Sequence, residues 1–165
     1  MENRVTILKR EIKEGARSIK DLAFDAEQLI RSTIIVGLED AFFQEYCIYA
    51  QALGLNFVND GIMSVSMSGC GETSLNICAL GTIRCVKTER EILFLIAHEV
   101  KHLISCHLSK YMDMFKNEVQ ALFMNLATDV EVNEGLRTEL GIRNENCIPS
   151  TAFGWGGIST ILGKT

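Results

Sequence analysis

Long apolar runs are missing from this sequence. No stretch reaches the roughly 18 consecutive apolar residues that a spanning helix needs, so a membrane span is excluded. A signal-peptide core is missing too, because Met1 leads into a charged amphipathic stretch, and a cytoplasmic protein is expected. Basic charge is in deficit: 16 Lys and Arg against 21 Asp and Glu give a net charge of -5 at pH 7. No nucleic-acid partner is therefore expected, since no basic surface would gain affinity by counterion release. Proline occurs once, beside 13 glycines, which excludes collagen-like and low-complexity chains. No cysteine pair has the Cys-x-x-Cys spacing of a zinc ribbon or redox motif. Cys47, Cys70, Cys78, Cys85, Cys106 and Cys147 are instead expected to be reduced thiols acting as small buried hydrophobes.

What is present suffices for one folded domain over 1–165, with 47% hydrophobic and 22% charged residues. Val5, Ile7, Leu8, Ile12, Ile19 and Leu22 recur at helical spacing among Lys9, Arg10, Glu11, Lys13, Glu14, Arg17 and Lys20, whose charges form a solvated face. A second helix runs through Leu29, Ile30 and Ile34 to Gly37, and a third covers about 39–53, where 46–50 also reads as strand. Gly37 and Gly54 stand where C-caps occur. Short β-rich runs at 62–67 and 74–78, separated by Ser68-Gly69-Cys70-Gly71-Glu72, predict an antiparallel hairpin with one polar face.

Thr88-Glu89-Arg90-Glu91 matches a capping box and starts a long helix that should end between Ser105 and Ser109. A second long helix is predicted over 117–136, with Val119, Leu122, Phe123, Leu126 and Val130 as its core stripe. The segment 144–165, with Pro149 and Gly154-Trp155-Gly156-Gly157, reads as loop. These elements predict an α+β fold, mostly helical, with a small antiparallel sheet packed beside the helix that begins at Thr88.

His98-Glu99-Val100-Lys101-His102 is the sharpest chemical signal. On a helix the two histidines lie within about 40° of each other, so both imidazoles can bind one metal ion. Glu99 can then reach an attacking water as general base. Ile92, Leu93, Ile96, Ala97, Val100, Leu103 and Ile104 fall on the other side, leaving the histidines a face of their own. Lys101 borders that face, where its long stem can carry the ammonium to solvent.

A catalytic zinc takes three protein ligands and keeps one position open, so a third ligand is required. His107 and Asp129 compete for the place. On a continuous helix His107 would point about 180° from His98, into the core face, which favours an outer-layer role for it. Cys106, four residues past His102, reads as a buried thiol. Asp129 lies about 20° from Leu122 at the edge of the predicted apolar stripe, where a carboxylate is costly unless paired or metal-bound. Glu131 projects away and is expected to be solvated.

In this order, a hairpin, then Leu93-Phe94-Leu95-Ile96-Ala97-His98-Glu99-Val100-Lys101-His102 with His107, then Asn125-Leu126-Ala127-Thr128-Asp129-Val130-Glu131-Val132-Asn133, the chain resembles a bacterial family. That family is the metallopeptidase-like domain found N-terminal to von Willebrand factor A-like domains. The resemblance covers about 40–155 and leaves 1–38 as a helical N-terminal extension. It implies a zincin-like core and one Zn2+ per chain held by His98, His102 and Asp129, with Glu99 as base and a peptide or protein as substrate. Because the sequence reaches only Thr165, a separate protein partner is expected in place of the von Willebrand-like domain. The expected activity is zinc-dependent peptide hydrolysis, and the alternative is a zinc-binding adaptor without turnover.

Overall fold

Two N-terminal helices are set by local capping. The computed structural model describes residues 2–15, 17–68, 70–111 and 117–140. Helix α1 (Arg4–Glu14) begins where the Asn3 side chain accepts a hydrogen bond from the Thr6 N–H, and it ends at Gly15, whose φ of 63° is the left-handed turn that glycine adopts without strain. Helix α2 (Ile19–Gly37) starts at Ser18, which accepts from the Asp21 N–H, and buries Leu22, Ala26, Leu29, Ile30 and Ile34 along one stripe. Gly37 closes that stripe. A Cβ there would lie 2.5 Å from Cys47 Sγ and 2.7 Å from Leu93 Cδ2, so α2 approaches its neighbours more closely than an alanine allows.

Helix α3 (Gln44–Leu53) follows within the helix expected over about 39–53, and the alternative strand at 46–50 does not form. Three strands come next: β1 (Leu55–Phe57), β2 (Met63–Met67) and β3 (Thr73–Ile77). The predicted hairpin is β2–β3, antiparallel with Val65 opposite Leu75. The sheet is not purely antiparallel, however. Strand β1 pairs in parallel with β3, giving a mixed sheet in the order β1-β3-β2. A three-residue strand carries too little alternation to be read from sequence, and its parallel pairing is non-local. The polar face is real and self-satisfied: Asn56 donates to Asn76 at 2.7 Å, Asn76 to Ser66 at 2.9 Å, and the Ser66 and Ser74 hydroxyls meet at 2.9 Å. Leu75 and Ile77 face the core.

Helix α4 (Ala79–Cys85), which the sequence reading did not anticipate, returns the chain to the start of α5 (Glu89–Ile104). The capping box acts one residue earlier than expected on one side. Thr88 Oγ1 accepts from the Glu91 N–H at 3.2 Å, while the Glu91 carboxylate accepts from the Lys87 N–H at 2.7 Å. Caps of this kind are worth about 1 kcal/mol. Ile92, Phe94, Ile96 and Ala97 are wholly buried, and α5 packs against α2, α3 and β2.

Helix α5 ends at Ser105, and α6 (His107–Lys110) and α7 (Glu118–Glu139) follow. Helix α7 packs on α5, and its buried residues, Thr128, Val130, Val132, Asn133 and Leu136, begin only at its middle. The predicted stripe is corrected here, since Val119, Leu122 and Phe123 are exposed. Stripe residues on the first half of a helix meet no core when only the second half is packed. One apolar cluster joins Val5 and Leu8 of α1 to Leu136 and Leu140, so among the described residues the architecture is α+β, mostly helical with a small sheet. No described helix is long and apolar enough to cross a membrane. The predicted loop at 144–165, with Cys147, lies outside the described residues.

Candidate metal centre

The 3.6-residue period of α5 brings His98 and His102 side by side, with their Nε2 atoms 3.0 Å apart. Asp129, from the second half of α7, completes the group: its Oδ1 is 3.5 Å from His98 Nε2 and 3.2 Å from His102 Nε2. Among the described residues these three form the cluster of His, Cys, Asp and Glu side chains close enough to hold a metal ion. Tetrahedral coordination at ordinary zinc–ligand lengths separates neighbouring ligand atoms by about 3.3 Å, so the three spacings suit a single ion. The site opens on the α7 side, where the Asp129 side chain is 39% exposed against 12% for each histidine.

Outer contacts hold each ring. His98 Nδ1 meets Asn133 Oδ1 at 2.8 Å. That oxygen only accepts, so His98 Nδ1 carries a proton and Nε2 is the ring atom turned to the cluster. His102 Nδ1 meets His107 Nδ1 at 3.0 Å. His107 is not inserted into the core face as a continuous helix would demand. Cys106 takes φ 56°, the one positive φ outside glycine among the described residues, and turns the chain so that α6 swings His107 back toward His102. This conformation costs an L residue about 1 kcal/mol. The same turn overturns the expectation of a buried Cys106 thiol: Cys106 is exposed, as is Cys70, whereas Cys47 and Cys78 are buried as anticipated.

Glu99 lies beside the histidines and reaches the sheet. Its Oε2 accepts from the Val65 N–H at 3.1 Å, so edge strand β2 runs past the site. Lys101 is not directed to solvent. Its ammonium pairs with Glu139 near the end of α7, and Glu139 also accepts from Tyr46 of α3 at 2.8 Å. The charge between the two histidines thus clamps α5 to α7 and α3 rather than entering the cluster.

The electrostatics of the site are those of a charged group in a confined space. Burial works to raise the Asp129 carboxyl, but hydrogen bonds from His102 and His98 outweigh it and bring it down to about 2. For His98 burial works downward, yet bonding to Asp129 and the charge of Glu99 leave it above its ordinary value. Burial pushes the Glu99 carboxyl up, against the pull of His98 and His102. His107 goes the other way, lowered by burial and then by the neighbouring His102.

Sequence reasoning had named His98, Glu99, His102, His107 and Asp129, and the structure brings all five to this corner of the fold. It gave no role to Asn133 and read Glu131 as solvated. Asn133 was detectable: it is four residues after Asp129, hence on the same face of α7. Glu131 remains exposed as expected, but its Oε2 is 3.6 Å from His107 Nε2. Neither a protein-family model, nor a curated protein, nor a solved structure matches this chain.

Proposed function

We propose that the protein is a zinc-dependent peptidase. The observation that carries this reading is the convergence of His98 Nε2, His102 Nε2 and Asp129 Oδ1 within 3.0 to 3.5 Å of one another, with Glu99 alongside. The contact of His98 Nδ1 with Asn133 Oδ1 leaves His98 Nε2 as the atom turned to the cluster beside the Asp129 carboxylate. Two imidazoles and one carboxylate suit zinc, and three protein ligands are the number a catalytic site uses. The chemistry such an ion supplies when bound is an acidified water and a polarised carbonyl.

The chain's own residues account for the rest. Glu99, whose burial makes it hold a proton more readily than a free carboxylate, takes the proton of the attacking water and passes it to the leaving amine. Strand β2 is at the sheet edge next to Glu99, where an extended peptide can pair with its backbone. An edge strand beside the His98–His102 helix also supports a zincin-like reading of the fold.

The test compares wild type with Glu99→Gln. Zinc is counted per chain by elemental analysis, and hydrolysis is followed on a mixed peptide library by mass spectrometry. Equal zinc in both proteins, near one per chain, with cleavage reduced by about 10²–10⁴-fold in the variant is the expected result. Zinc in both with no cleavage in either leaves a zinc-binding adaptor, and no zinc in either, even after reconstitution, overturns the reading.

A further inference from the structure

Tyr49, Met67 and Ile104 are 46%, 39% and 46% exposed, large apolar side chains from α3, β2 and α5 that stand in the wall of one cavity. Leu53, Leu103 and Leu108 complete the wall of this space of about 480 Å³, a size at which sites hold small groups. Among the described residues its wall contains no Asp, Glu, Lys or Arg. Exposed apolar side chains gathered around a concave surface, rather than scattered singly, mark a place where an apolar group binds.

Two features tie the cavity to the candidate metal centre. His102, a candidate ligand, is itself part of the wall. Strand β2 runs from one to the other: the Val65 N–H donates to Glu99 at 3.1 Å, and Met67, two residues and about 7 Å further on, borders the cavity. Along α5 the same step leads from Glu99 to Leu103 and Ile104, so β2 and α5 run in the same direction past the site. Val65 and Met67 stand opposite Leu75 and Thr73, and Leu75 is wholly buried, so these side chains share the core side of the sheet, where the cavity lies. In a peptide added to edge strand β2, every second side chain points to that side. Antiparallel pairing is the more stable arrangement per residue, and it places the N-terminal part of such a peptide at Met67.

We propose that this cavity takes one large apolar side chain of a substrate peptide, such as phenylalanine, leucine or methionine, on the N-terminal side of the bond that is cut. The inference rests on the peptidase reading and gives that site its substrate class, peptides that are apolar at this one position. An acidic side chain meets no counter-charge among the described residues of the wall and gives up water on entering, which disfavours it.

The test uses capped polyalanine peptides that carry a single phenylalanine, leucine or aspartate, incubated with the zinc-loaded protein, with the cut bond located by mass spectrometry. Cleavage is expected within about two residues after the phenylalanine or leucine, with kcat/KM about 10- to 100-fold above that of the all-alanine peptide. The aspartate peptide should be cut no better than alanine. Met67→Gln and Ile104→Gln place an amide in the wall at exposed positions of β2 and α5, and each should lower the phenylalanine-to-alanine ratio at least about threefold. Because the ratio is taken within each protein, a variant that folds less completely loses activity on both peptides and leaves the ratio as it was.

Cleavage that ignores the apolar residue overturns the proposal, as does cleavage that leaves it only on the C-terminal side of the cut, or an unchanged ratio in either variant. If no peptide is cut, the peptidase reading falls, and the cavity is decided separately by methyl NMR of Met67 and Ile104 during titration with the phenylalanine and aspartate peptides. Shifts with the first and not with the second uphold an apolar side-chain site. Equal shifts with both, or none with either, overturn it, and shifts on raising the protein concentration alone overturn it in favour of a second copy of the chain.

Discussion

Helices α5 and α7 supply the candidate ligands to one cluster, yet they are put together by different rules. Helix α5 separates its faces, with Ile92, Ile96, Ala97 and Val100 buried on one side and His98 and His102 on another, one turn beyond the buried ring of Phe94. Helix α7 is divided end to end. Its second half is packed and buries polar Thr128 and Asn133 with Val130, Val132 and Leu136, while its first half exposes Val119, Leu122 and Phe123. Buried polar groups persist when each has a partner: Thr128 Oγ1 donates to the Met124 carbonyl at 2.9 Å, and Asn133 accepts from His98. A helix that must offer both a ligand and the group orienting another ligand gives up apolar positions to do so, whereas α5 can separate its two tasks by face.

The comparison can be broken most severely in the core of α5. Phe94→Ala removes a fully buried ring from the helix that α2, α3 and β2 all pack on, and should lower the unfolding free energy in urea by about 3–5 kcal/mol. A loss below about 1 kcal/mol would mean that α5 is not the central packing element. Next in size is the contribution of the bound ion. Free zinc at about a hundredfold above its dissociation constant should stabilise wild type by about 2.7 kcal/mol. That gain should vanish in His98→Ala, on α5, and vanish or shrink in Asp129→Ala, on α7. Full zinc affinity in Asp129→Ala would break the pairing of the two helices and move the third ligand to His107. The gain should also fade on acidification, because His98, held above its ordinary value, takes a proton in place of the metal. Asp129, held at about 2, stays ionised and does not limit binding until far lower pH.

Legibility in the sequence followed the same division. The start of α5 was readable from Thr88 and Glu91, and its ligand face from the spacing of His98 and His102, because both signals are local and α5 buries residues from Glu91 to Val100. The β2–β3 hairpin was readable from its alternation. Strand β1 was not, since a three-residue strand is defined by its parallel partner rather than by its own pattern. The position of His107 was hidden by the left-handed Cys106, a conformation no cysteine advertises in sequence. Asp129 was singled out by its distance from Leu122 on a stripe whose first half turns out to be exposed. The structure brings Asp129 to the histidines for a different reason, the packing of α7 into the core through Val132 and Leu136. Asn133, one turn beyond, was within reach of the same periodicity, had the buried polar residue been weighed as the orienting partner of a ligand.

The smallest expected effect is the one that sharpens the contrast most. Leu122 and Phe123 are 68% and 66% exposed, so Leu122→Ser and Phe123→Ser remove little buried apolar surface. Each should change the unfolding free energy by no more than about 0.5 kcal/mol, as ordinary surface substitutions do. A continuous core stripe along α7 would instead make each cost about 2–5 kcal/mol, as large-to-small core changes do. Urea unfolding of the two variants beside Phe94→Ala therefore reads the division of α7 directly. If the serine variants unfold like wild type, then α7 is fastened through its second half, and the packing that fixes Asp129 and Asn133 against α5 comes from Val132 and Leu136 rather than from the longer stripe.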